Sequence, residues 1–320
     1  MPETKTRPLI EGALLAAMAV ALILIGFYVP ILGAVIIFLW PVPIIIIQMR
    51  HGLRIGIMTV VVAGLLLMTF VGPLQALTIL LTTGTIGLAF GYGFGRRWPS
   101  GRVMVLGAVA VLVSLAASFV LSLVVLDINI ITDTVETMRR SMEMSVGFYR
   151  SIGVEGEALE RMEGAVDQMT QVLSLLLPAG FLLGAVFNAF INYQVSRLVL
   201  IRLGYDIPQL PPFVEWRPPT PTVGGLIVVY IFWFLFQRTG LGLYEKLAIN
   251  LFYLFGTLFL VQGLALGYYL LTRWGVAKPL KVALVIWALM VPFVTQIITW
   301  VGLFDIVLDF RSMLESRQRT

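Results

Sequence analysis

Along the 320 residues, stretches of about twenty mostly apolar positions alternate with short polar joints. A hydrocarbon core about 30 Å thick takes about 20 helical residues, so each stretch is long enough to cross a bilayer. The pattern predicts an all-α, polytopic transmembrane helical bundle of about nine spans. They lie near 9–28, 31–49, 53–71, 74–95, 103–126, 171–198, 222–237, 247–272 and 280–303. The first has a basic flank, Lys5 and Arg7, like a signal peptide. It is long and lacks a persuasive small-residue cleavage site before Pro30, so it reads as an uncleaved span.

Two segments break the rhythm. Residues 127–170 hold nine acidic and four basic residues, and their apolar positions recur at helical spacing in two runs. Ile131, Val135, Met138, Met142, Val146 and Tyr149 form one run; Leu159, Met162, Val166, Met169 and Leu173 form the other. Glycines 153 and 156 lie between them, which predicts a helical hairpin between spans five and six. Such a hairpin is either a self-packed cap or a solute lid or docking surface. The second break, 204–221, carries Pro208, Pro211, Pro212, Pro218, Pro219 and Pro221, none of which supplies a helical backbone donor. It reads as an extended linker separating a six-span domain, 1–203, from a three-span region, 222–320.

Charge fixes the orientation. Arg50/Arg54, Arg96/Arg97/Arg102, Arg197/Arg202/Arg217 and Arg273/Lys278/Lys281 fall at alternate joints, together with Lys5 and Arg7. Cytoplasmic joints carry the excess of Lys and Arg, so the N-terminus and the linker are expected in the cytoplasm and the acidic hairpin on the outer side of the cytoplasmic membrane. Nine crossings would place Arg311, Arg317 and Arg319 outside, against that rule, although Asp305, Asp309 and Glu315 balance them. Eight crossings, with the segment around Pro292 bent or re-entrant, are the alternative.

The composition, 59% hydrophobic and 12% charged, agrees with lipid as the solvent. A net charge of +5 would suggest nucleic acid in a soluble protein, but these cations flank apolar spans, and no nucleic-acid partner is expected. No cysteine and a single histidine, His51, leave nothing for thiol chemistry or a histidine metal cluster. No Walker loop, G-x-S-x-G elbow, H-E-x-x-H pair or intramembrane carboxylate pair occurs, and Gly91-Tyr92-Gly93-Phe94-Gly95 closes a span with no strand before it. No enzyme activity, cofactor or metal is expected. No acid and base pair at mid-membrane depth either, which argues against a self-powered ion-coupled transporter.

Several uncharged groups remain. Asn188 and Asn192 share a face of span six; Gln75, Thr78 and Thr82 share one of span four; Ser114, Ser118 and Ser122 share one of span five. These either glue helices together or contact a solute, and Asn188, Asn192, Gln75, Thr78, Ser118 and Ser122 are the candidate solute ligands. Pro41-Val42-Pro43 should kink or break span two, as in helices that line transport sites. Ala13, Ala17 and Ala21 form a small-residue ridge along span one, suited to close packing with another helix of this chain or of a partner.

The basic N-terminus, the run Glu11-Gly12-Ala13-Leu14-Leu15-Ala16-Ala17, the proline-bearing second span, His51-Gly52-Leu53-Arg54-Ile55-Gly56 and the glycines from Gly84 to Gly95 resemble the S components of energy-coupling factor transporters. The whole chain, with Leu177-Pro178, Asn188 and the closing Gly302-Leu303-Phe304-Asp305 to Phe310-Arg311, resembles the YybS-like family of bacterial membrane proteins. The S-component resemblance implies uptake of a small molecule, captured from outside between spans four to six. It also implies that Ala13, Ala17 and Ala21 meet a transmembrane coupling subunit linked to separate cytoplasmic ATPases. The hairpin and the last three spans depart from that pattern, which leaves a scaffold docking other proteins through hairpin or linker as the competing expectation.

Overall fold

A computed structural model describes residues 6–29, 33, 36–153, 156–218, 221–236 and 242–316. Among these residues there are helices and no strands. Contacts divide the chain into two units, Met1–Phe148 with Phe181–Leu210, and Tyr149–Gly180 with Pro211–Thr320. The division falls inside the proline-rich segment and groups Tyr149–Gly180 with the C-terminal region.

The first unit opens with α1 (Thr6–Tyr28). The first half of the expected second span lies partly outside the described residues; a turn through Trp40 leads into α2 (Val42–His51). Pro43 therefore sits in the first helical turn, where a missing N–H costs nothing. The proline pair starts a helix instead of kinking one. After Gly52, whose φ of +83° suits a residue without a side chain, comes α3 (Leu53–Val71).

Span four is α4 (Pro73–Ile79), a π-helical turn over Leu80–Gly84, and α5 (Thr85–Gly95). It is followed by α6 (Ser100–Leu126) and α7 (Ile130–Ser151). One apolar core gathers Val42, Ile45 and Ile46 of α2 around Phe90, Phe94, Val103 and Tyr193. Another joins Ala16, Val20 and Ile23 of α1 to Ala63, Leu67, Ala76 and Ile79. Glycine sets the spacing here: a Cβ on Gly91 would lie 2.9 Å from that of Gln48, so the glycine run near the end of span four does serve close helix approach.

Helix α8 (Glu157–Arg202) runs 46 residues without interruption, about 69 Å at 1.5 Å per residue. That is more than twice a hydrocarbon core, so its acidic first turns lie beyond the apolar span they continue. The ion pairs Arg139–Glu143, Arg140–Glu136 and Arg161–Glu157 are exposed and hold single helix faces, worth only a few tenths of a kcal/mol each. Arg150 Nη2 donates to Glu163 at 2.6 Å, across the two intervening glycines.

The second unit adds a short turn (Phe213–Glu215), then α9 (Pro221–Phe236), α10 (Gly242–Arg273), α11 (Lys278–Met290), α12 (Pro292–Leu308) and α13 (Phe310–Ser316). Asn250 of α10 reads the backbone of α8 one residue beyond Pro178. Its Oδ1 accepts from Ala179 N at 2.8 Å, and its Nδ2 donates to Leu175 O at 2.7 Å. The helix ladder opened by the proline is thus closed from a neighbouring helix. Helices α10 and α12 touch where a Cβ on Gly263 would collide with the Ile298 carbonyl and one on Gly302 with the Phe259 carbonyl.

Among the described residues, six helices are long and apolar enough to cross a membrane, and α9 is a shorter apolar helix. The expected ninth span is not one helix. Pro292 cannot donate to the preceding turn, and α11 and α12 meet at 105°.

Candidate functional site

Three irregularities of the first unit meet at one cavity of about 90 Å³. Its wall is Ile37, Phe38, Trp40 and Pro41 before α2, Thr82, Thr83 and Ile86 at the π turn, and Asn188 and Asn192 on α8. Each irregularity has a local cause. The prolines delay the start of α2; Thr82 Oγ1 returns to the Thr78 and Ile79 carbonyls where the ladder widens; the asparagines stand four apart on one face. π turns of this kind recur at functional sites because the extra residue turns side chains out of register. Trp40 is held by its Nε1, which donates to Leu22 O at 3.1 Å.

Hydrogen bonding fixes the polarity of the wall. Asn192 Nδ2 donates to Asn188 O at 3.0 Å and to Asn188 Oδ1 at 2.9 Å. Only a nitrogen satisfies two acceptors, so the remaining atom is the carbonyl Oδ1. It is buried and has no partner. Leaving a buried acceptor unpaired costs about 1–3 kcal/mol, an expense that a ligand donor would remove. Asn188, half-buried, keeps its own amide N–H groups as donors beside that acceptor. The cavity wall is therefore uncharged, and Asn188 and Asn192 bring amide groups to it.

The other candidates lie elsewhere. Gln75 is exposed, and Thr78 turns its hydroxyl back to the Leu74 carbonyl at 3.1 Å. Ser118 Oγ is buried without a partner, and Ser122 is buried, but neither lines the cavity. Ser114 is the gluing residue of its row: its Oγ meets Thr85 Oγ1 and donates to Ala110 O at 2.6 Å, joining α5 to α6. Trp40, Pro41 and Thr83 were missed as wall residues; the proline break was the signal that could have found the first two.

On α1, Ala13, Ala17 and Ala21 are exposed, whereas Gly12 and Ala16 face inward. Near the start of that helix Glu11 collects Arg7 Nε at 3.1 Å, His51 Nε2 at 2.8 Å and Arg50 Nη1 at 3.6 Å. Arg50 Nε in turn donates to the Tyr205 hydroxyl at 2.6 Å. The single histidine is thus bound into an ionic cluster. Among the described residues no group of three or more His, Cys, Asp or Glu could hold a metal.

The second unit contains what the sequence did not suggest, a buried acid and base. Asp305 and Arg311 are 4% and 2% exposed, with Nε 3.7 Å from Oδ2. Asp305 is already satisfied by Gln262 Nε2 at 2.5 Å and by Phe310 N at 3.1 Å. The Arg311 guanidinium donates from Nη1 to the Val214 carbonyl and stacks over Tyr269, leaving Nε and Nη2 without a hydrogen bond. Close by, Arg217 donates to Asp309 at 3.0 Å, Arg273 to Leu314 O at 3.2 Å, and Lys281 to Thr272 Oγ1 at 3.1 Å.

No solved structure matches the chain. The Bacillus subtilis (strain 168) protein named Uncharacterized protein YybS is 28% identical over 311 residues, 97% of this chain and 99% of that one. A family model described as "Predicted membrane protein (DUF2232)" matches residues 17–306, and the chain belongs to that family.

Proposed function

We propose that the protein binds a small, neutral, polar solute in the cavity between Trp40, Thr83, Asn188 and Asn192, as a membrane solute-binding or transport component. The observation that carries this reading is the buried, partnerless Oδ1 of Asn192 in the wall of a cavity that also holds the Asn188 amide. Depth supports it. Asn192 stands about 15 Å, and Asn188 about 21 Å, from the arginine-bearing end of α8 at Arg202, which is the middle of a 30 Å core. Transport sites in broken-helix folds lie at that depth. The volume, well under the roughly 300–1,000 Å³ of drug-sized ligand pockets, suits a solute of a few heavy atoms.

Energy would come from elsewhere, as the S-component resemblance implies, through separate ATPase subunits reached by a coupling subunit. The Ala13-Ala17-Ala21 ridge supports a partner helix there, since all three alanines are exposed among the described residues. Less favours the competing scaffold reading at the linker, where Phe213, Val214, Trp216 and Arg217 have partners within their own unit.

In the membrane we read eight crossings, with N- and C-termini both cytoplasmic and α11–α12 re-entrant. Bonded groups share a depth, so Arg273 at the end of α10, Leu314 of α13 and the linker residues Val214 and Arg217 lie on one side. The chain between Arg273 and Leu314 then enters and leaves by the same face, which also removes the conflict of the basic C-terminal tail with the positive-inside rule.

The functional test is native mass spectrometry of the full chain in mild detergent, with acetamide as a probe carrying one donor and one acceptor. Wild-type protein is expected to retain a small neutral adduct or bind acetamide, and Asn192→Leu to do neither. Absence of both in folded wild-type protein refutes the reading.

A further inference from the structure

The unused edge of Arg311 points to a second site, independent of the cavity. We propose that Arg311 and Gln262 bind a partly protonated oxyanion, a hydrogen phosphate or phosphomonoester, at the linker-bearing end of the second unit. Nε and Nη2 form the edge of a guanidinium that takes a phosphate or carboxylate by two parallel N–H bonds. Here that edge belongs to a side chain 97% buried and has no hydrogen-bond partner. The Asp305 carboxylate lies 3.7 Å from Nε, an ion-pair distance without a hydrogen bond, and takes its own hydrogen bonds from Gln262 and the Phe310 amide.

The third partnerless atom of the cluster defines the ligand further. Gln262 Nε2 is fixed on the Asp305 carboxylate, since the reverse orientation would set two oxygens 2.5 Å apart, so its Oε1 is the free acceptor. An acceptor in the same cluster as a guanidinium with two N–H groups not hydrogen-bonded suits a ligand with both an anionic oxygen and an O–H. Hydrogen phosphate and phosphomonoesters have both; sulfate has only the first. Two further cations of the same unit add positive charge, while Asp305 and Asp309 are already paired with Arg311 and Arg217. Arg273 and Lys281 are bonded to a backbone carbonyl and a threonine hydroxyl, so their charges are not neutralised by those contacts.

Two sources supply this chemistry, free phosphate and the headgroup of phosphatidic acid. The second is within reach, because α11 exposes Leu280, Val282, Ile286, Trp287 and Met290 beside its lysines, and Trp274 precedes it, a composition typical of the membrane interface. Arg311 itself is deeply covered, so entry takes a movement of α13 about Asp309, whose left-handed φ of 47° separates it from α12.

The full chain in phosphatidylcholine nanodiscs is titrated with inorganic phosphate near pH 6 and, at matched ionic strength, with sulfate, following the melting midpoint. Phosphate is expected to raise the midpoint at concentrations at least five-fold below those sulfate requires. Arg311→Lys, which keeps the charge and loses the edge, removes the difference; should it not fold, Gln262→Met is expected to bring phosphate down to the level of sulfate. In a second arm, nanodiscs containing phosphatidic acid raise the midpoint with no phosphate added if the lipid is the source. A response to phosphate alone assigns the free anion. Equal responses to phosphate and sulfate in wild type and variants mean ionic screening only, and these or no response overturn the proposal.

Discussion

Asn192 gives its amide nitrogen to Asn188 twice, at 3.0 Å to the backbone and 2.9 Å to the side chain, and in doing so strands its own carbonyl in the protein interior. The pair is hydrogen-bonded along one helix and joins no second helix by those bonds. A gluing residue would show the opposite arrangement, as Asn250 does.

This contrast gives the first prediction. Asn192→Leu removes an unpaired acceptor together with a bond inside one helix, so its melting midpoint should match or exceed that of wild type while binding is lost. Asn250→Ala should behave inversely, costing about 1–3 kcal/mol because the Leu175 and Ala179 groups lose their partner, with binding retained. Thermal melts of both variants, paired with acetamide binding, check the assignment.

Ala17→Leu adds bulk to an exposed position, and the fold should tolerate it within about 0.5 kcal/mol. Association with a partner helix should fall at least ten-fold. Unchanged recovery of any co-purifying subunit would remove the ridge from the proposed function.

The absence of cysteine in the chain makes side-specific labelling direct. Thr320→Cys and Gly101→Cys should react with an impermeant maleimide only after the cells are opened, and Gly156→Cys in intact cells. Labelling of Thr320→Cys from outside would restore nine crossings.

Asp309 offers a pH test of the linker contact. Burial pushes its carboxyl up, but the Ser312 N–H and Arg217 outweigh that and hold it below the ordinary value near 3.8. A carboxyl lowered on folding stabilises fully above its unfolded pKa and loses that contribution as pH falls through the folded one. Melting should therefore be insensitive to Asp309→Asn in its pH slope near neutrality. Below about pH 4 the wild type should lose stability more steeply than the variant.

The apolar rhythm made most of the spans legible, since 20-residue periodicity reports the solvent directly: 53–71 was recovered to the residue, and the break at Pro41-Val42-Pro43 was visible as missing donors. Two kinds of feature were not. The π turn over Leu80–Gly84 depends on tertiary fit around Gly64, where a Cβ would overlap Leu80, and no composition marks it. The Asp305–Arg311 cluster joins residues 97 positions apart through Val214, and the pair itself looked like a solvated, self-balancing tail. Span nine was legible in one of its two readings: hydropathy averages over Pro292, whereas the missing N–H there permits the 105° bend that the alternative of a bent segment had allowed for.

The most direct measurement is the binding isotherm of a small neutral amide to the purified full chain, compared with Asn192→Leu and Asn250→Ala at equal foldedness. The account predicts saturable binding to wild type and Asn250→Ala, and at least a ten-fold loss in Asn192→Leu with no loss of melting midpoint. Equal binding by wild type and Asn192→Leu, or a variant that loses binding only because it unfolds, would contradict it.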